Sequence, residues 1–248
     1  MDKLNEVEKL REKEVGMAKE IEDKYKALSE ILFLIPFAID EFLRFEEKIE
    51  QHTLPPEEFV RMTPVPALEI VEQERTHILS TMNLVKEKRN EIIAFEQSGE
   101  KAEEVSLFIE QRYMAIRETL ADLNLHYDYI DLCNRRVIWE KAFGEKDIHP
   151  AEKERLEKLQ KEIKKYGGEV LEAKEKMANA NREMVVPIAK RHMNEGVELS
   201  ELIRAGNEGL MKATAKFDYR KGYKFSTYAS WWVNFGVKEA VKNQKRPE

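Results

Sequence analysis

Apolar residues in this chain recur at steps of three or four within strongly charged segments, which is the spacing of one face of an α-helix. The first such series is Leu4, Val7, Leu10, Met17, Ile21, Tyr25, Leu28 and Leu32. Alternation with period two, the pattern of a half-buried strand, is almost absent. With 36% charged residues and only 10 Gly among 248 residues, the sequence predicts an all-α fold built on long helices.

Interruptions of this pattern separate the predicted helices. Residues 2–50 are predicted as one long helix or two, disturbed near Gly16 and Pro36. The later predicted segments are a proline-rich break at 51–66, helices at 67–97 and 101–141 with a break at 124–126, a loop at 144–150, and a polar helix from 149 to 166. Gly167 and Gly168 are expected to end that last helix. Pro187 is expected to kink a further helix, because proline lacks the N–H that a helix interior needs.

Charge is distributed unevenly along the chain. The formal net charge is −6, of which residues 1–176 contribute −11 and residues 177–248 contribute +5. An acidic body with a basic C-terminal piece predicts two surfaces with different partners.

Several classes of protein are excluded by the sequence. No run of 18 apolar residues is present, and the N-terminus lacks the order of a signal peptide, so a cytoplasmic protein without a membrane span is expected. The single cysteine, Cys133, lies among apolar residues and predicts a buried thiol. We find no metal-ligand spacing, phosphate-binding glycine loop or catalytic constellation. The sequence therefore predicts a binding protein with no cofactor, no metal and no enzymatic activity.

The most informative segment, residues 217–233, reads FDYRKGYKFSTYASWWV and interleaves seven aromatic residues with cations. Gly222 allows a turn, and Ser226 or Thr227 can cap the helix that follows. Cations neutralise phosphates, and exposed rings stack on unpaired bases with about 1–3 kcal/mol per base. Because taking a base out of the stack costs only roughly a few kcal/mol, two or three such contacts could drive local melting without ATP.

A second interpretation of these aromatic residues is a hydrophobic core. Trp231 and Trp232 follow Tyr228 at steps of three and four, which places them on the same helix face. Such a stripe is commonly buried, and composition and spacing leave both interpretations open.

The segment resembles region 2 of bacterial sigma factors of the primary, sigma-70 type. The stretches at 179–190 and 201–213 share the resemblance, which covers about residues 177–246, and the motif GYKFSTYAxWW is highly specific. A weaker resemblance relates residues 11–23 to the end of region 1.2. It implies three parts: partial region 1.2 helices at 1–40, a helical insertion at 41–168, and a region 2 domain at 169–248. The acidity of the insertion would keep DNA away or offer a site to an anti-sigma factor or another protein.

The resemblance implies contacts with promoter DNA. A flipped adenine of the −10 element would be held near Phe217, Asp218, Lys221, Tyr228 and Trp231. Trp231 and Trp232 would form a wedge at the upstream edge of the bubble, and the non-template strand would follow Tyr223, Lys224, Phe225 and Thr227. Asn181 and Ser226 would hold a second flipped base, a thymine, with Glu12 and Glu14 as further candidates. Phe235 and Lys238 stand where the family carries the residues that read the first base pair of the element.

The resemblance also implies that residues 202–212 dock on the coiled coil of the β′ subunit of core RNA polymerase. The implied contact residues are Glu201, Leu202, Arg204, Ala205, Asn207 and Met211. Arg204 and Ala205 replace a Gln-Glu pair of the family, which predicts a changed or weakened β′ contact. Phe235 has no hydrogen-bonding group, so it cannot read a base edge as its family counterparts do. Lys221, where the family has Arg, keeps the charge but lacks the planar fork.

The predicted function is that of a sigma factor or its core fragment, which binds core polymerase and melts the −10 element. A sigma-like regulator or decoy that binds polymerase or promoter DNA without supporting initiation is the alternative, and a helical scaffold is a third possibility. The chain stops at Glu248, before regions 3 and 4 of the family, and the sequence leaves open whether it is a fragment or a naturally short protein.

Overall fold

The computed structural model describes residues 2–61, 68–98, 102–139 and 150–244, and it confirms the all-α fold. The helices are α1 Asp2–Leu32, α2 Pro36–Leu43, α3 Glu46–Glu50, α4 Pro56–Phe59, α5 Leu68–Glu96, α6 Ala102–Ala121, α7 Tyr127–Trp139, α8 Pro150–Asn179, α9 Val185–Lys190, α10 Leu199–Lys216 and α11 Phe225–Gln244. Short 3₁₀ turns lie at Arg182–Met184, Met193–Glu195 and Tyr219–Lys221. Within the described ranges, extended pairing is limited to one antiparallel bridge between Val60 and Leu125. None of the described helices has an apolar stretch long enough to span a bilayer.

Two compact units make up the chain. One consists of residues 25–167, and the other joins residues 1–24 to residues 168–248. The units therefore divide within α1 and within α8, whereas the family resemblance placed boundaries after residues 40 and 168. The three-part division implied by the resemblance, at 1–40, 41–168 and 169–248, remains a prediction.

The unit of residues 25–167 has an aromatic core. Phe42 packs against Phe59 and Tyr129, with ring centroids 5.7 and 6.4 Å away. Tyr25 stacks on Tyr127 at 4.0 Å, and its hydroxyl donates a hydrogen bond of 2.8 Å to Asp131. These rings are almost completely buried, so their packing supplies much of the hydrophobic stabilisation of this unit.

Several predicted helix boundaries in this unit are confirmed, but residues 2–50 form three helices instead of one or two, and the predicted break at 51–66 contains the short helix α4. Pro36 is the first residue of α2, where its missing N–H costs nothing. The helix predicted at 67–97 is α5, and the break predicted near 124–126 separates α6 from α7. Cys133 is buried as expected, and burial raises the pKa of its thiol to about 12. The predicted loop lies outside the described residues except for Pro150, which begins α8.

Three expectations about helix interruption are wrong. Gly16 does not disturb α1, and α8 runs through Gly167 and Gly168 to Asn179. A Cβ at Gly167 would lie 2.8 Å from the side-chain nitrogen of Asn134, which is the end of a flexible side chain, and a Cβ at Gly168 would meet no atom within 4 Å. Pro187 kinks nothing, since it lies in the first turn of the short helix α9, where backbone N–H groups have no helical partner.

The second unit is organised by the contact between α10 and α11. The helices touch through glycines: a Cβ on Gly209 would lie 2.3 Å from the carbonyl oxygen of Trp232, and one on Gly236 would lie 2.5 Å from that of Ala205. Beside this contact, a cluster of buried residues comprises Ala189, Val197, Leu202, Val237 and Val241. Because the backbones meet directly, α10 fixes the position of the α11 segment that carries both tryptophans.

Candidate nucleic-acid interface

A tight turn connects α10 to α11 and sets the direction of the aromatic segment. Phe217 is buried at the end of α10, and the Asp218 carboxylate accepts a 3.1 Å hydrogen bond from the backbone N–H of Arg220. The 3₁₀ turn ends at Gly222, whose φ of 80° is accessible to glycine at little cost. The turn predicted at Gly222 is thus confirmed.

Carboxylates of α1 hold this turn and the start of α11. Glu14 accepts a 3.0 Å hydrogen bond from the backbone N–H of Phe225, the first residue of α11. Glu22 accepts bonds from Arg220 Nη2 at 2.6 Å and from the Tyr219 hydroxyl at 3.1 Å. The hydrogen bond to Glu22 raises the pKa of the Arg220 guanidinium above its ordinary value.

The expectation that Ser226 or Thr227 caps α11 is therefore wrong. Both residues lie inside the first turn of the helix, and Glu14 supplies the acceptor for the N-terminal N–H. An anionic acceptor at this position also complements the positive end of the helix dipole. The resemblance implies Glu14 as a candidate contact to a base, whereas its carboxylate accepts a hydrogen bond within the protein.

The aromatic residues form a continuous series from the interior to the surface. Phe225 is buried, and the buried Phe217 packs against it with ring centroids 5.2 Å apart. Phe217 also lies 6.0 Å from Tyr223 and from Tyr228, which stack on each other at 5.9 Å with an angle of 26°. Partial burial, followed by the negative charge of Asp218, raises the pKa of Tyr223, so its hydroxyl stays a neutral hydrogen-bond donor.

The outer end of this series consists of two tryptophans and a phenylalanine. Trp231 is 59% exposed and Phe235 is 43% exposed, and their rings lie nearly parallel at 12° with centroids 5.4 Å apart. Trp232 meets Trp231 at 88°, with centroids 4.9 Å apart, and Lys216 Nζ lies 5.6 Å from the centre of the Trp232 ring. Trp231 is therefore not a core residue. Of the two interpretations of the aromatic stripe, hydrophobic core or exposed rings, only the second fits this ring.

The exposed members of the predicted DNA-binding set share the turn and the outer face of α11. They are Lys221, Tyr223, Lys224, Thr227, Trp231, Phe235 and Lys238, while Asn181, Ser226, Tyr228 and Trp232 are half-buried. Phe217, Asp218 and Phe225 differ from the expectation, because their side chains are buried. An apolar ring gains more from the core than from water, so Phe225 anchors α11 and Phe217 supports the two tyrosines.

Asn181 lies apart from α11 in sequence, in the turn between α8 and α9. Its side-chain nitrogen donates a 2.9 Å hydrogen bond to the carbonyl oxygen of Met177, near the C-terminus of α8. This bond fixes the direction of the amide and orders the start of the 3₁₀ turn that follows.

The predicted polymerase-docking residues divide between the inside and the outside of α10. Glu201, Asn207 and Met211 are partly exposed and Arg204 is exposed. Leu202 and Ala205 are buried, the former in the core cluster and the latter against α11, so their side chains do not reach a partner as expected. Helical spacing explains why these two side chains are buried, because Leu202 and Ala205 lie on the inner face of α10.

A groove of about 770 Å³ lies between α10 and α11, and several carboxylates line it, among them Glu201, Glu208 and Glu239. Arg204 lies between two of these carboxylates and pairs with both. Its Nε donates a 2.9 Å hydrogen bond to Glu201, and its two terminal nitrogens pair with Glu201 and Glu208. Hydrogen bonding to Arg204 lowers the pKa of Glu201, so the clamp keeps that carboxylate ionised while occupying it.

The sequence did not indicate which residues support the turn and α11 from within the protein. The resemblance of residues 11–23 to region 1.2 includes Glu14 and Glu22 but offers Glu14 as a contact to a base, and Gly209 and Gly236 carry only the signal of glycine inside a helix. The latter signal could have been used, because a glycine in a helix interior destabilises it unless close packing requires it.

Two comparisons with known proteins concern the same part of the chain. Residues 177–247 match the family model described as sigma-70 region 2. The chain is also 50% identical over 74 residues to the RNA polymerase sigma factor SigA of Microcystis aeruginosa. That alignment covers 30% of this chain and 18% of the cyanobacterial protein, so the chain spans less than a fifth of the length of this relative.

Proposed function

We propose that this chain, whose residues 177–247 belong to the sigma-70 region 2 family, acts as a sigma factor or its core fragment in transcription initiation. In this proposal it binds core RNA polymerase through β′ and melts the −10 element by capturing bases of the non-template strand. It acts by binding rather than by catalysis, in the cytoplasm, where the polymerase is.

One observation carries the proposal: the exposed aromatic rings and cations share a rigidly supported face. Trp231 and Tyr223 are exposed on or beside α11, together with Lys221 and Lys224. Rings that replace lost base stacking and cations that neutralise phosphates favour the open strand over the duplex. Since the protein binds the open form more tightly, it shifts the duplex toward melting by mass action, without ATP.

In this mechanism each part of the face has its own role. The flipped adenine stacks near Tyr228 and Trp231, with Lys221 beside it, and the perpendicular Trp231 and Trp232 form the wedge at the upstream edge. Tyr223, Lys224 and Thr227 line the path of the strand. Phe217, Asp218 and Phe225 are positioning residues that hold this face from the inside, and Asn181 and Ser226 hold the second base.

Docking on polymerase is proposed for the exposed face of α10. Glu201, Asn207 and Met211 contact the β′ coiled coil, and the acidic groove beside them suits a basic partner segment. Arg204 lowers the affinity, because the cations of the partner have to displace it from Glu201 and Glu208.

The test mixes the full chain with its cognate core polymerase and a fluorescent non-template oligonucleotide that carries the −10 sequence. Trp231→Ala is expected to weaken capture of the oligonucleotide about tenfold, since a stacking contact is worth roughly 1–3 kcal/mol, and to leave polymerase binding unchanged. The matched control is Leu171→Ala, which removes another exposed apolar side chain, from α8. Polymerase binding without any sequence preference for the oligonucleotide would contradict the proposal.

A regulator or decoy is the second candidate, and the Arg204 clamp favours it. A docking face whose carboxylates are already paired binds polymerase less tightly, which suits a protein that competes transiently rather than one that initiates. Transcription from a pre-melted promoter separates the two functions. The initiation factor supports RNA synthesis with core polymerase, whereas the decoy reduces the synthesis that a competent sigma factor supports.

A further inference from the structure

The outer face of α11 carries a stripe with cations at both ends and an aromatic pair at its centre. Its residues follow one another at steps of three or four, and all of them are exposed: Lys224, Thr227, Trp231, Phe235, Lys238 and Lys242. Trp231 and Phe235 stack on each other, so they present a joint apolar surface rather than two separate rings.

This surface differs in chemistry from an ordinary base-reading surface. Phe235 has neither a donor nor an acceptor, so it cannot read the edge of a base through hydrogen bonds. The feature of a base edge that an apolar side chain recognises is the C5-methyl group of thymine. The parallel contact with Trp231 covers part of one ring face, which leaves an outer face and an edge of Phe235 for such a methyl group.

We propose that the stacked pair of Trp231 and Phe235 is a thymine-selective contact that recognises the C5-methyl group, while Lys238 neutralises a neighbouring phosphate. This inference rests on the proposed DNA-binding function and names the base that the face of α11 selects. The thymine is presented either by the unpaired strand or by the major groove of the adjoining duplex, because the methyl group is the same in both.

Charge favours a nucleic acid over a protein as the occupant of this surface. Phe235 also borders the groove between α10 and α11, whose lining is rich in carboxylates, whereas Trp231 does not line that groove. The stripe that continues from Phe235 carries Lys238, about 4.5 Å farther along a helix axis. Lys242 follows one turn later, and its Nζ lies 3.5 Å from the Glu239 carboxylate. A polyanion therefore binds along the stripe, and a basic protein segment binds in the groove.

The test replaces thymine by deoxyuracil, which deletes only the methyl group. A fluorescent non-template oligonucleotide with the −10 sequence, and the corresponding duplex, carry this replacement at one thymine at a time. Each probe is titrated with the full chain, with and without cognate core polymerase. We expect one replacement to weaken binding about fourfold, the change that burial of one methyl group of about 0.8 kcal/mol produces. The probe that shows the loss, single-stranded or duplex, identifies the source of the thymine.

Variants connect this loss to Phe235. In Phe235→Gln the thymine and deoxyuracil probes should bind equally, whereas Phe235→Leu, which keeps an apolar side chain, should retain at least half of the difference. Val186→Gln, a change at an exposed apolar residue of α9, should leave the fourfold effect intact. Circular dichroism confirms that each variant is folded.

The outcomes separate this inference from the function on which it rests. Tight binding with no thymine preference at any position overturns the inference and leaves DNA capture standing. An equal methyl effect in the protein and in Phe235→Gln also overturns it, because another residue then contacts the methyl group. Failure of every probe to bind, even with core polymerase, overturns both proposals.

Discussion

The same aromatic residue types have opposite surroundings in two regions of this molecule. In the unit of residues 25–167, Phe42, Phe59 and Tyr129 are almost entirely buried and pack against one another. On α11, Trp231 and Phe235 stack on each other, yet both remain exposed on a helix face that also carries Lys238. Rings in contact thus form a core in one region and an exposed surface in the other, and burial rather than ring contact distinguishes them.

The largest expected effect is a difference in stability between these regions. Phe42→Ala should lower the free energy of unfolding by about 3–5 kcal/mol, because it leaves a cavity among packed rings. Trp231→Ala removes a larger but exposed ring and should change that free energy by no more than about 1 kcal/mol. Urea unfolding followed by circular dichroism measures both, and equal losses would show that Trp231 is a core residue.

The glycine contact between α10 and α11 supplies the next prediction. Gly209→Ala should destabilise the protein by about 1–3 kcal/mol, because the new Cβ would overlap the carbonyl of Trp232 and force the helices apart. Gly168→Ala is the matched control in α8, where a Cβ meets no atom within 4 Å, and it should stabilise by roughly 0.5–1 kcal/mol. Thermal unfolding distinguishes the opposite signs. A stable Gly209→Ala protein would mean that the two backbones are not in direct contact.

A smaller effect is expected at the start of α11. Glu14→Ala should cost about 1 kcal/mol of stability, since it removes the acceptor for the N-terminal N–H of the helix. Glu12→Ala, two residues away and exposed, serves as the control and should change little. Hydrogen exchange at the amide of Phe225 reports the bond directly: it should accelerate in the first variant only. Equal exchange in both variants would contradict the role assigned to Glu14.

The smallest effect concerns the acidic groove. Arg204→Gln frees Glu201 and Glu208 for the cations of a partner, so the affinity for core polymerase should rise about two- to fivefold, more at low salt than at high salt. Lys190→Gln changes an exposed cation on α9 and should have no comparable effect. Fluorescence anisotropy with labelled protein measures both. A lower affinity in Arg204→Gln would mean that Arg204 itself contacts the polymerase.

The sequence predicted those features that a local pattern determines. Helical periodicity and proline positions predicted α5, the disturbance near Pro36 and the break between α6 and α7, and the family motif indicated the aromatic segment at 217–233. Features that depend on distant residues were missed. Glycine pairs often terminate helices, and the sequence therefore predicted a helix end at Gly167 and Gly168, yet α8 continues through both residues to Asn179.

In the candidate site as well, local sequence patterns did not predict the features that depend on packing between distant residues. Which ring is exposed could not be read from spacing, because Trp231 and Trp232 are neighbours with similar chemistry and only the packing of α10 on α11 separates them. The burial of Leu202 and Ala205 follows from that packing as well. Glu14 and Glu22 lie about 200 residues from their partners, and nothing local to either segment indicates the pairing.

The central claim is that the exposed face of α11 binds the non-template strand. The most direct test compares the affinities of the unchanged chain and of Trp231→Ala for that strand. With cognate core polymerase present, the unchanged chain should bind a fluorescent −10 oligonucleotide about ten times more tightly than the variant does, while both bind polymerase equally well. Equal affinity of the two proteins for the oligonucleotide, or a parallel loss of polymerase binding in the variant, would contradict the assignment of the exposed face of α11 to DNA.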